Sequence, residues 1–210
     1  MNPLAIPDIV IRRMPLYLRT LRLLEELGQT VTSSQEIGDK LGISATQIRK
    51  DLSYFGEFGK QGTGYDVRYL IEQLRQILQV DQNWNLALIG AGDLGRAILR
   101  YSGFAQSGFS IVAVLDKDPE KVGKHIGKLK VVGISRLPEV ISAYGIKIAI
   151  IAVPTGDAQR VADVLVEAGV KAILSYAPVP LSLPPDVHVE HIDPVVGLQS
   201  MTYYLEPAQR

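Results

Sequence analysis

Leu86-Ala87-Leu88-Ile89-Gly90-Ala91-Gly92-Asp93-Leu94-Gly95 places a short apolar run directly before glycines spaced as GxGxxG. The run predicts a buried strand, and residues 94–100 predict the helix that follows. A GxGxxG motif is informative only in this strand–turn–helix context. There Gly90 permits the tight turn, Gly92 lets a pyrophosphate approach the backbone, and Gly95 lets the helix pack on the strand. The backbone N–H groups of Ala91, Asp93 and Leu94 open the helix and are placed to hold phosphates. A second predicted strand, residues 111–115, runs into Asp116. That carboxylate lies about 20 residues beyond the loop, where an acid accepts the ribose hydroxyls of NAD and disfavours the 2′-phosphate of NADP.

Working outward, strands are predicted at 148–152, 172–174 and 187–189, with a helix over 157–168 between the first two. The alternation predicts an α/β domain, a Rossmann-like parallel sheet with helices on both faces. Val153 and Pro154 leave a strand end where a bound nucleotide would lie. Residues 195–205 read as an amphipathic segment carrying Val195, Val196, Leu198, Met201, Tyr203, Tyr204 and Leu205. It is too apolar to stand in water, and another subunit is one place for it to pack.

Residues 1–80 read as a helical unit with one short hairpin. Pro15 is placed to open a helix with Leu21, Leu24 and Leu27 at helical spacing, ended by Gly28. Ser33 with Glu36 and Ser44 with Gln47 form two capping boxes on either side of Gly42. Two short capped helices joined by a glycine turn make a helix-turn-helix. With Ile48 and Leu52 inward, Thr46, Arg49, Lys50 and Ser53 share the opposite stripe. Basic side chains there suit phosphates or guanine edges, and hydroxyls suit either. Residues 58–65 follow as a glycine-rich hairpin with Lys60 and Gly62 at its tip. A recognition helix followed by a basic hairpin predicts an N-terminal winged-helix, DNA-binding domain, with Ser44, Thr46, Gln47, Arg49, Lys50, Ser53, Lys60 and Gly62 at the DNA. Residues 67–78 predict a linking helix, and the polar Asp81-Gln82-Asn83 predicts the boundary to a second domain over 81–193.

Bulk properties limit this reading without choosing it. Lys+Arg and Asp+Glu are both 22, so net charge lends no support to nucleic-acid binding and the case rests on local patches. The chain has no cysteine, which excludes disulfides and thiol catalysis and fits a reducing cytoplasm. No apolar run approaches the ~18 residues of a membrane span, and the N-terminus lacks the order of a signal peptide. Neither a membrane nor a metal is expected as a partner.

Along nearly its whole length the chain resembles the Rex family of redox-sensing transcriptional repressors. The resemblance is carried by Arg49-Lys50-Asp51-Leu52-Ser53-Tyr54-Phe55-Gly56, by the wing through Gly64-Tyr65, by the loop from Gly90 to Gly95, by Asp116 with Pro119-Glu120-Lys121-Val122-Gly123, and by Ala177-Pro178. It implies a cytoplasmic homodimer on palindromic operator DNA, with a domain-swapped C-terminal helix over 194–210. It implies NADH as the ligand that releases DNA and NAD as its competitor. It places an interdomain switch pair on Arg19 and Asp193 and an aromatic near the nicotinamide on Tyr101. Gln61 stands where relatives often carry arginine, which leaves Lys60 as the minor-groove residue, and Pro194 replaces an aromatic seen in some relatives.

Two other classes are compatible with the residues. A Rossmann half serves an NAD-dependent dehydrogenase equally well, but His125, His188 and His191 are poorly placed for acid–base chemistry, His191 least so, and little chain remains for a substrate domain. A DNA-binding sensor of another nucleotide, a flavin or coenzyme A, would also use Asp116 on a ribose.

Overall fold

The computed structural model describes residues 6–59 and 63–205. The chain divides between Gln82 and Asn83 into two compact units.

The first unit is built on helix α1 (Asp8–Glu26). Pro15 lies inside this helix and not at its start, so the expected start is corrected by two turns. Proline removes one backbone donor. Burial of Val10 and Met14 anchors the turns before it, so packing overrides the local cost. Strand β1 (Val31–Thr32) leads to α2 (Ser34–Leu41) and α3 (Ala45–Ser53). Ser33 Oγ accepts from Glu36 N–H and Ser44 Oγ from Gln47 N–H, so each predicted cap forms. The reciprocal half of each box is replaced. The Glu36 carboxylate accepts from Gln29 and Thr32, and the Gln47 amide donates to Asp51.

The predicted hairpin also differs. Strand β2 (Tyr65–Asp66) pairs antiparallel with β1, and Phe58 is buried in the core. A Cβ on Gly59 would lie 2.6 Å from the Gly64 carbonyl oxygen, so the two legs of the turn run side by side. Its tip, including Lys60 and Gly62, lies outside the described residues. Helix α4 (Val67–Ile77), capped by the Asp66 carboxylate on Tyr69 N–H, closes the core with Leu70, Ile71 and Leu74.

The second unit is a seven-stranded sheet. Its elements are β3 (Trp84–Ile89), α5 (Asp93–Arg100), α6 (Gly103–Gln106), β4 (Phe109–Asp116), β5 (His125–Ile126), β6 (Leu129–Gly133), α7 (Leu137–Ala143), β7 (Ile148–Ile151), α8 (Thr155–Glu167), β8 (Ala172–Ser175), β9 (His188–His191) and α9 (Pro194–Thr202). The order is β5-β6-β4-β3-β7-β8-β9, all parallel except β5 against β6. Leaving out β5, this is the 3-2-1-4-5-6 order of dinucleotide-binding sheets. Strands β5 and β6 and helix α7 had no counterpart in the sequence reading.

Strand β3 is apolar at consecutive positions because both its faces are covered. Ala87 and Ile89 pack toward α7 and α8, with Leu137, Ile141, Ala158 and Leu165. Leu86 and Leu88 pack on the other face with Ile98 of α5 and Phe104 of α6. The order of strand addition reverses at β3: β4 and β6 lie on one side of it, β7 to β9 on the other. Ligands bind outside the carboxyl ends of strands at such a point.

Candidate functional sites

The carboxyl ends of β3, β4 and β7 open into a cavity of about 1000 Å³. Ile89, Gly90, Gly92, Asp93 and Leu94 line it from the first strand and loop, and Asp116 to Pro119 with Lys121 from the second. Ala152, Val153 and Pro154 line it from the third, and Asp157 and Arg160 from α8. The volume is at the upper end of small-ligand pockets, large enough for a dinucleotide.

The glycine loop has the shape its spacing predicts. Gly90 has φ +107°, and a Cβ there would collide with the carbonyl of Ala152, the residue just after β7. A Cβ on Gly95 would collide with the Gly90 carbonyl, so this glycine lets α5 pack onto the loop. At Gly92 a Cβ would meet nothing within 4 Å, which leaves a bare backbone facing open space. An unsubstituted backbone beside the first turn of a helix fits a pyrophosphate. Dinucleotide chemistry therefore fits the residues present: Gly90, Gly92, Asp93 and Leu94 line the cavity at the first turn of α5, Ala91 and Gly95 belong to the same loop without lining it, and Asp116 stands at the end of β4.

Asp116 does more than the sequence indicated. One of its oxygens accepts from Ala91 N–H at 2.7 Å, and the other accepts from Asp118 N–H at 2.9 Å. Lys121 Nζ donates to the first oxygen at 3.3 Å. Burial raises the Asp116 pKa, but these donors outweigh burial and hold it below the ordinary carboxylate range. The carboxylate thus fastens the glycine loop to β4. Lys117, Lys121, Asp157 and Arg160 were not singled out from the residues; Lys121 came in only through the motif of the resemblance. Lys117 and Arg160 both pair with Asp157, at 2.7 and 3.0 Å. Tyr101 caps the far end of α5, 65% exposed and edge-on to Phe104, and is not among the cavity-lining residues.

In the first unit α3 presents Thr46, Arg49, Lys50 and Ser53 to solvent, as its stripe predicts. Arg49 is held in place: its guanidinium donates to Ser34 Oγ on α2 and to Thr46 Oγ1, both at 3.0 Å. Ser44 is consumed as the cap, and Gln47 is turned inward to Asp51. Asp51, fully buried, accepts from both Arg13 and Tyr17 of α1 at 2.6 Å, as well as from Gln47. Burial raises its pKa, but these hydrogen bonds prevail and lower it. Sequence reading missed this network, although Asp51 sits on the inward stripe between Ile48 and Leu52.

Arg19 is exposed on α1. Asp193 caps α9, accepting from Val195 N–H at 2.9 Å. Helix α9 buries none of its residues; Val196 and Leu198 are each 61% exposed and Tyr203 beyond it 85%. Its apolar residues are not gathered on one face, because Gln199, Ser200 and Thr202 fall among them, so the helix is not amphipathic as expected. Among the described residues no helix is long and apolar enough to cross a membrane, and no group of three or more acidic, histidine or cysteine side chains is gathered as for a metal.

Residues 81–179 match the family model "CoA binding domain", and residues 5–53 match "Putative DNA-binding protein N-terminus". A redox-sensing transcriptional repressor Rex of Chloroflexus aurantiacus is 57% identical over 97% of this chain and 96% of its own. The Rex of Desulforamulus reducens is 44% identical over 98% of both. The crystal structure of RSP in complex with beta-NAD+ and operator DNA superposes with TM-score 0.89 at 39% identity, covering 94% of this chain and 91% of that one. That of RSP in complex with beta-NADH gives TM-score 0.87 at 36% identity, covering 95% and 94%. These relatives are named as repressors, which sets the dehydrogenase alternative aside, and over nearly its whole length this chain belongs to the Rex family of redox-sensing transcriptional repressors.

Proposed function

We propose that this protein is a repressor whose grip on operator DNA follows the NADH/NAD ratio, and not an enzyme. The supporting observation is the presence, in one chain, of a cavity large enough for a dinucleotide beside a glycine loop and an exposed basic stripe on a capped helix. RSP, the structural relative, was solved with beta-NAD+ and operator DNA and, separately, with beta-NADH.

In this reading Thr46, Arg49, Lys50 and Ser53 face the DNA, Ser44 orients α3, and Lys60 and Gly62 reach the groove beside it. Gln47 serves the interface indirectly, through Asp51. The protein works as a homodimer on a palindrome. Exchange of α9 between subunits gives its bare apolar surface a partner. NADH and NAD share every phosphate and ribose contact, so the two can be told apart only near the nicotinamide, whose charge and planarity change on reduction. Tyr101 and the Arg19–Asp193 pair are the residues proposed to read that difference and relay it. A gel-shift on a palindromic promoter fragment tests the reading. Protein alone and protein with NAD retain the fragment, and NADH releases it. Retention that ignores both nucleotides would refute it.

A further inference from the structure

The Asp116 carboxylate has about four lone-pair positions for donors. Three donors already use it: the N–H groups of Ala91 and Asp118, and the Lys121 ammonium. Little acceptor capacity is left for a ribose with two hydroxyls. Lys121 is differently placed. Its side chain is about one-third exposed and lines the cavity, and its ammonium also lies 3.5 Å from Asp118. An ammonium has three N–H donors and no fixed fork, so it can turn one toward a ligand while keeping its carboxylates.

We propose that Lys121 is a second cofactor-reading residue, which contacts the adenosine ribose beside Asp116 and offsets the negative charge there. The proposal rests on the dinucleotide reading of the cavity. Its consequence is that the 2′-position meets a nearly neutral pair and not a bare carboxylate, so rejection of a 2′-phosphate is shallow. The other charges lining this end of the cavity are arranged in keeping with this. Lys117 and Arg160 are paired with Asp157, and Asp118 shares Lys121. No isolated carboxylate stands between Asp116 and α8 among the lining residues there.

The test measures NADH and NADPH binding to the full-length protein by calorimetry, with no DNA present. In Lys121→Met the ratio of the NADPH to the NADH dissociation constant rises about tenfold, the order expected for removing one unit charge beside a partly exposed phosphate site. Lys121→Arg keeps the charge and holds the ratio within about threefold of wild type. An unchanged or lower ratio in Lys121→Met overturns the proposal, as does a Lys121→Arg variant that behaves like Lys121→Met. Wild-type protein that binds neither nucleotide overturns the cavity reading itself, and this proposal with it.

Discussion

Asp51 shows what a single residue contributes to this fold. It is a buried acid on the recognition helix, tied to Arg13 and Tyr17 of α1. Removing one partner of such a pair leaves the other uncompensated. We expect Asp51→Ala to cost about 3 kcal/mol, the low end of the range for buried pairs, because Arg13 is partly exposed and can rehydrate. The sign of the pH dependence follows from the lowered pKa of Asp51. Its contribution is complete above the unfolded value of about 3.9 and is lost as pH falls through the folded value. The gap between wild type and Asp51→Ala therefore closes below about pH 4. Trp84, the only tryptophan, lies in the second unit, so far-UV circular dichroism lost separately from the Trp84 fluorescence change follows the first unit. A variant within about 0.5 kcal/mol of wild type at pH 7 would contradict the network's role. An acid beside Lys50 reads as surface charge in sequence; only its register with Ile48 and Leu52 signals burial. Asp116 was legible for the opposite reason, because it ends an apolar strand at a set distance from a glycine motif.

At the scale of elements, the strand–loop–helix around Gly90 was readable because Gly90 and Gly95 each answer to a specific steric demand and Gly92 leaves the backbone between them bare. The pairs of caps at Ser33 and Ser44 were readable because they are local. Helix α1 was misplaced at Pro15 because burial of Val10 and Met14 is tertiary information. Strands β5 and β6 escaped notice because they are short, and lysines interrupt the run around Val131 and Val132. Helix α3 carries the prediction at this scale. Lys50→Ala should weaken all DNA sequences alike and lower the salt slope by about 1 for each lost phosphate contact. Arg49 is braced by Ser34 and Thr46, the fixed orientation that reading a base edge requires. Arg49→Ala should instead relax base preference, by about 1–3 kcal/mol at the position it reads. Fluorescence anisotropy on operator and scrambled duplexes, across a salt series, separates the two. Unchanged operator affinity in both variants would remove α3 from the interface.

At the scale of the whole molecule, the two-module layout was legible, because a helix-turn-helix and a Rossmann half have independent local signatures. What would cover the exposed apolar residues of α9 was not legible from those residues, since apolar side chains do not say what they pack on. Release of DNA by a ligand places one demand on the assembled protein. A ligand can release DNA only if it binds better to the state that DNA disfavours. Coupling of this kind is reciprocal. The most direct measurement is therefore a calorimetric NADH titration of the protein with and without a palindromic operator duplex. We expect the operator to weaken NADH by the same factor by which NADH weakens the operator. Arg19→Ala and Asp193→Ala should still bind NADH but lose most of that factor. Equal NADH affinity of the wild-type protein with and without operator would contradict the account.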